Sequence, residues 1–259
     1  MHSLETLKFP KKMSQNCPLC EMTHPIFVQG VVCNPERESE KLPVLDKGYS
    51  FCNCNNIFFT DWSNIDQSVY DENYRKKFDN ESCYNAIARY AVYFPFIEKN
   101  ANIKMFAEIG CINPALLDKA KERGWQTTAI DINPNIQFDN HDVIICDLEK
   151  QQLLEKYDVV WAAHIFEHFK DPLSVIKNLH KTINDEGILF VSMPDPYFID
   201  WNHPHTWGHW HLREHHIMWD MDSFIEVVEK NNFKCILSKR NDVPKFNCFG
   251  DYHLIFKKI

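Results

Sequence analysis

From residue 102 onward the chain repeats one arrangement: a short apolar run, a stretch with helical spacing, then another apolar run. Strands joined through helices run parallel, because a tight turn returns the chain antiparallel while a parallel partner needs a crossover. The pattern predicts an α/β domain with a mostly parallel sheet and helices on both faces. Strands are predicted at 104–109, 126–131, 142–146, 157–162 and 187–192, with two more at 233–238 and 252–256. Helices are predicted over 114–123 and 172–183, each with Pro in its first turn, where a missing N–H costs little, and over 222–231. In such a sheet, ligands bind outside the carboxyl ends of the strands, where the strand order reverses.

A chain of 259 residues buries a core of its own and leaves room for a small appendage. Its 44% hydrophobic and 25% charged residues are the balance of a globular protein. A net charge of -8 without a long Lys/Arg run declares no phosphate-binding surface, so nucleic acid is not an expected partner. No stretch approaches the ~18 apolar residues of a membrane helix, and the first residues lack an apolar signal core. A cytoplasmic protein is expected, which also suits reduced thiols.

Ahead of this domain, Cys17 and Cys20 form a Cys-x-x-Cys pair, and Cys52 and Cys54 a Cys-x-Cys pair, around β-rich pieces at 26–32 and 57–60. Four thiolates complete a tetrahedral structural zinc site. The expectation is therefore a small Cys-rich module over 13–62 holding one Zn2+ through Cys17, Cys20, Cys52 and Cys54, with His24 or Cys33 as substitutes. Four buried, unligated cysteines are the alternative. Residues 63–100 are read as a helical linker or lid, with helical spacing from Tyr84 to Pro95, and 101–259 as the main domain.

Four strand ends carry the chemistry. Gly110 follows the first strand, where glycine lets a ligand approach the backbone closely. Asp131-Ile132 ends the second strand and Asp147-Leu148 follows the third. The fourth leads into His164, Glu167 and His168, with Pro172 opening the next helix. Each aspartate alone reads equally well as a strand-end cap. Their ordered recurrence resembles the class I S-adenosylmethionine (SAM)-dependent methyltransferases, whose Glu-x-Gly-x-Gly-x-Gly loop survives here as Glu108 and Gly110, with Ile112 and Pro114 at the later glycine positions. The strip 157–172, with 175–179 and 186–194, is similar to the ubiquinone-biosynthesis and sugar-modifying members.

That resemblance covers roughly residues 104–240 and implies a Rossmann-like fold with SAM as cofactor. It places Asp131 and Ile132 at the ribose, Asp147 and Leu148 at the adenine, and Glu108, Gly110 and His164 in the cofactor site. The Cys-rich front and Tyr70–Tyr74 likewise resemble the zinc module of some sugar methyltransferases.

Between Asp195 and His216 lie six histidines and three tryptophans. An insert after the fifth strand sits above the ligand edge, where aromatic rings shape a pocket and a neutral imidazole can take a proton. Residues 213–224 resemble a segment of sugar methyltransferases whose His lies at the acceptor, which makes His215 the first candidate for general base; His168 and His211 are further candidates. Surface or structural histidines are the alternative, and His-x-His spacings leave a second metal open.

The function expected is methyl transfer to a small polar acceptor, by resemblance a hydroxyl of a sugar, nucleotide-sugar or glycan precursor. An aromatic or quinone-like acceptor, and a non-catalytic zinc-stabilised binding protein, are the alternatives. A nicotinamide enzyme is excluded by the missing glycine fingerprint.

Overall fold

The computed structural model describes residues 14–17, 19, 23–25, 27–28, 48–52, 55–59, 72–200, 207–209, 215–240 and 250–259. Its centre is a seven-stranded sheet. In chain order the strands are β6 (Met105–Ile109), β7 (Gln126–Asp131), β8 (Asp142–Ile145), β9 (Tyr157–Ala163), β10 (Ile183–Pro194), β12 (Phe233–Arg240) and β13 (Asp251–Lys258). In space they run β12-β13-β10-β9-β6-β7-β8. The five central and right-hand strands are parallel, while β13 is antiparallel to both β10 and β12. Strand order therefore reverses between β6 and β9, and a crevice opens at their carboxyl ends.

Period-two alternation decides which residues face which layer. Val160 and Ala162 of β9 and Leu189 and Val191 of β10 join one apolar cluster with helices α3 (Pro172–Thr182) and α4 (Met221–Glu229). The intervening Val159, Trp161, Ile188 and Phe190 join the other, with α1 (Glu72–Asn100) and α2 (Ala115–Lys121). Trp161 and Phe190 stack at 3.6 Å between ring centroids, beneath Tyr93 and Phe94 of α1. Ala86, Tyr93, Phe94 and Ile97 form the buried stripe of α1, and Arg89 lies within it. Helices α3 and α4 start at Asp171 and Asp220, whose carboxylates accept from the backbone N–H groups of Ser174 and Ser223 at 3.1 and 3.0 Å. Pro172 sits at the first position of α3; Pro114 stands one residue ahead of α2.

Strand β10 starts four residues earlier than the expected 187. Its register against β9 shifts between Ile183 and Ile188, with Glu186 in the left-handed region. Gly187 follows, where a Cβ would meet Ile183 and the Asn184 carbonyl under 3.0 Å. The bulge hides the strand's beginning from a period-two reading.

The expected N-terminal zinc module is corrected by the structure. Among the described residues, the groups able to hold a metal are two sets of histidines and carboxylates at the sheet edge, between residues 164 and 251, and neither contains a cysteine. Cys17 and Cys52 are 1% and 6% exposed and belong to the apolar cluster that packs under the main sheet; Cys20 and Cys54 lie outside the described residues.

The physical reason is that the front segments draw their order from the large domain. Strands β1 (Ser14–Asn16) and β2 (Thr23–Pro25) pair with each other. Strands β3 (Phe27–Val28), β4 (Gly48–Phe51) and β5 (Ile57–Phe59) form a second small sheet that is completed by β11 (Ile217–Met218), just before α4. Buried Asn56 clamps the junction: its Nδ2 donates to Ser223 Oγ at 2.7 Å, and its Oδ1 accepts from the Asp220 backbone at 2.9 Å. Ile57 packs with Ile199, Trp207 and Met218.

Candidate active site

The ends of β6, β7, β8 and β9 enclose a cleft open to solvent. Gly110, Asp131, Ile132, Asp147, Leu148 and His164, six of the seven residues assigned to the cofactor, line it, as does His168. The seventh, Glu108, is not on the wall. It lies one pleat back in β6, paired with Ala129 and Trp161, and its Oε2 is shut off from water. Burial pushes its carboxyl up to about 8, against the opposing pull of the Cys111 thiol and Arg89.

Gly110 has φ +71°, and a Cβ there would lie 2.8 Å from Ile165 Cδ1. The backbone turns left-handed at this point, bringing the β6 end against the β9 loop, which glycine alone does without penalty. Asp131 Oδ1 accepts from the Asn133 backbone at 2.7 Å, and Asp147 Oδ1 from Glu149 at 3.1 Å. Both aspartates thus shape their own turns, as the cap reading anticipates, while also lining the cleft. Lys150 Nζ reaches Asp147 Oδ2 at 2.6 Å from an exposed position.

On the far side of the cleft His164 has φ +53°, a left-handed conformation that a side chain adopts only when its surroundings hold it. What holds it is a network the sequence reading did not include. Asp251, 0% exposed at the start of β13, faces His164 Nε2 and Arg89 Nη2, each 2.9 Å from its Oδ2. His209 of the insert approaches Oδ1 at 3.6 Å, and His164 Nδ1 lies 3.5 Å from Glu167. Burial alone would lower the His164 pKa, but the Asp251 carboxylate overrides it and raises it to about 9. Burial works the other way on Asp251, and His164 and Arg89 hold its carboxyl well below the usual range.

Two of the three proposed base candidates come together. His168 lies on the cleft wall, in the 3-10 turn Phe166–His168 that follows β9. His215 packs edge-on behind it, ring centroids 4.7 Å apart, and is itself 4% exposed. The His216 backbone N–H donates to the Glu167 carbonyl at 2.7 Å, and Trp219 Nε1 to that of Phe166 at 3.3 Å, which seats the insert's end on the turn. His211 lies outside the described residues, as do His203 and His205.

Arg89 and Asp251 are the polar residues the sequence reading missed as parts of the site, and it gave Glu167 no role of its own. Arg89 carried a signal: a guanidinium inside the apolar stripe of a helix must meet an acid where it lands. Asp251, next to an apolar strand, carried a weaker one of the same kind.

This topology, with an acid-rimmed cleft at its reversal point, is that of the Rossmann-like methyltransferase fold. The chain belongs to the methyltransferase-domain family, whose pattern matches residues 78–238. A ubiquinone biosynthesis O-methyltransferase from Histophilus somni (strain 2336) is 26% identical over 125 residues, 41% of this chain and 52% of that protein. The chain thus spans about half the length of the curated relative it matches. Among solved structures, a SAM-dependent methyltransferase from Archaeoglobus fulgidus superposes with TM-score 0.56 at 15% identity, covering 73% of this chain and 100% of that one. The plantazolicin methyltransferase BpumL, solved with S-adenosylhomocysteine, gives TM-score 0.57 at 12% identity, covering 74% and 93%. No helix among the described residues is long and apolar enough to cross a membrane.

Proposed function

We propose that this protein transfers the methyl group of SAM to a hydroxyl of a small polar acceptor, of the sugar or nucleotide-sugar class. The observation that carries the reading is the cleft itself, where a left-handed glycine and two strand-end aspartates stand on one side and histidines on the other. The donor set suits the cofactor. Asp131 is a carboxylate able to accept from two ribose hydroxyls, and Ile112, Ile132, Ile136 and Leu148 are apolar surface for a flat base. Gly110 places its backbone on the cleft wall beside them.

When bound, SAM supplies a sulfonium-activated methyl group. The chain's own task is to orient the acceptor and exclude water. Arg89 and Asp251 hold His164 at the cleft wall, while His168, backed by His215, meets the acceptor hydroxyl. The sugar assignment is supported by the resemblance of 213–224 to sugar methyltransferases. The likeness to a ubiquinone biosynthesis O-methyltransferase from Histophilus somni favours an aromatic or quinone-like acceptor as the second reading.

The test is titration calorimetry with SAM and S-adenosylhomocysteine, followed by a screen of sugar nucleotides, sugar phosphates and catechols for cofactor demethylation. Asp131→Ala should weaken SAM binding by about 1–3 kcal/mol, the range for hydrogen bonds to a charged group. Unchanged affinity removes Asp131 from the site, and no binding by the parent protein ends the methyl-transfer reading.

A further inference from the structure

Helix α1 is apolar on two sides. One stripe packs on the sheet, yet the exposed residues between 83 and 97 are all apolar as well: Tyr84, Ile87, Ala91, Val92 and Pro95. Tyr84 is 63% exposed, and Ile87 and Val92 are each 37% exposed. Steps of three and four residues keep this set on one face of the helix, with half-buried Ala88 and Phe96 along its edge. A helix at the surface of a domain turns polar residues outward, and one that is apolar all round is buried in a larger body. A membrane span does not supply that body, since no helix among the described residues is long and apolar enough to cross one.

The face is complementary to itself. Its middle holds the small residues Ala88 and Ala91, and its ends hold the aromatic residues Tyr84 and Phe96. One turn before Tyr84 along the helix stands Glu81, and one turn after Phe96 stands Lys99. A second copy laid antiparallel about a twofold axis near Tyr90 sets Tyr84 level with Phe96, Ala88 level with Val92, and Glu81 level with Lys99. A parallel copy would instead set each of these charges beside its own kind, which is repulsive.

We propose that the outer face of α1 is the contact of a homodimer, packing antiparallel against α1 of a second copy of this chain. Such a contact is isologous, so each pairing is made twice. Alanines at the centre let the two axes approach to about 8 Å, the close end of the range for packed helices. From Glu81 to Lys99 the contact runs about 27 Å at ~1.5 Å per residue.

A strip of that length and one helix wide, roughly 10 Å, falls short of the ~800 Å² that each partner buries in a standard interface, so the dimer is a weak one with Kd in the micromolar range. The contact leaves the cleft free. Arg89, which reaches Asp251 at the cleft's far side, belongs to the buried stripe on the opposite side of α1.

The test is sedimentation velocity of the full-length protein from about 1 to about 300 µM, a range that brackets a micromolar Kd. We expect monomer at the low end and dimer at the high end. Ala91→Glu sets two like charges face to face near the twofold axis and should weaken the dimer about tenfold or more. Glu81→Lys should weaken it roughly threefold, the scale of an exposed charge pair, and adding Lys99→Glu should restore it, because the pair is then only inverted. Ala91 is exposed, so circular dichroism at low concentration should report the parent fold in each variant. A parent that stays monomeric throughout, or a dimer that Ala91→Glu leaves intact, overturns the proposal. So does a charge inversion that fails to restore association, since the antiparallel register requires it. A monomeric parent that floats with vesicles of phosphatidylcholine and phosphatidylglycerol also overturns it and gives the face to lipid.

Discussion

Replacing Arg89 with methionine removes one guanidinium from the most deeply buried ion pair described. Its side chain and that of Asp251 are 5% and 0% exposed, with 2.9 Å between them. The methionine keeps the apolar stem in the stripe between Ala86 and Tyr93, so little packing is lost with the charge. Asp251 is left with His164 at 2.9 Å as its remaining close cation. Breaking a buried pair costs about 3–5 kcal/mol because a charge is stranded. The retained histidine places this variant near 3 kcal/mol. For a domain of this size each kcal/mol lowers Tm by ~2–4 °C, so a fall of roughly 6–12 °C is expected. Urea titrations of the parent, Arg89→Met, Asp251→Asn and the double variant complete the cycle. The coupling should exceed about 1 kcal/mol, since residues in one network are non-additive by ~0.5–3 kcal/mol. A loss below about 1 kcal/mol in the single variant, or additivity within ~0.5 kcal/mol, refutes the claim that this pair holds α1 to the sheet edge.

Gly110→Ala should lose about 1–2 kcal/mol in denaturant titration, the cost of a left-handed conformation for a residue with Cβ, with Ile165 displaced as well; an unchanged midpoint would mean the turn is not strained by a side chain. Glu108 sets a pH dependence. Its folded pKa of about 8 lies above the ordinary 4.5, so between those values the folded protein holds a proton the unfolded chain has released, and stability falls as pH rises through that window. Relative to Glu108→Gln, the parent should lose about 3 kcal/mol between roughly pH 5 and pH 8, against a ceiling of ~1.4 kcal/mol per pH unit; parallel pH profiles would show that the carboxyl ionises freely. Asn56→Ala removes both hydrogen bonds that tie β5 to the start of α4 and should cost about 2 kcal/mol, at ~1 kcal/mol per bond. Equal stability of that variant by thermal melting would place the junction's strength elsewhere.

The main sheet was legible because its code is local. Val159, Val160, Trp161 and Ala162 alternate between the two apolar layers, and a crossover helix on either side compels parallel neighbours. Gly110, Asp131, Asp147 and His164 could be placed on one cleft for the same reason, since each stands at or just beyond a strand's carboxyl end. The front segment misled. A Cys-rich stretch without an apolar period looks like a unit that needs zinc, but the partner supplying its order is β11, far along the chain, where Met218 pairs with Ile57 and Ile217 with Phe58.

Local periodicity states that a face must be buried, not which distant segment will bury it. Docking two segments costs loop-closure entropy that grows only slowly with separation, so a remote partner is nearly as accessible as a near one. The same limit applies to the polar groups. Arg89 and Asp251 are 162 residues apart, and Glu167 meets His215 only because a backbone bond from His216 seats the insert on the β9 turn. Sequence alone determined where the cleft lies and which strand ends rim it. The charges that face one another across it were decided by tertiary packing, because a buried ion selects its counter-ion by position in space and leaves no period along the chain.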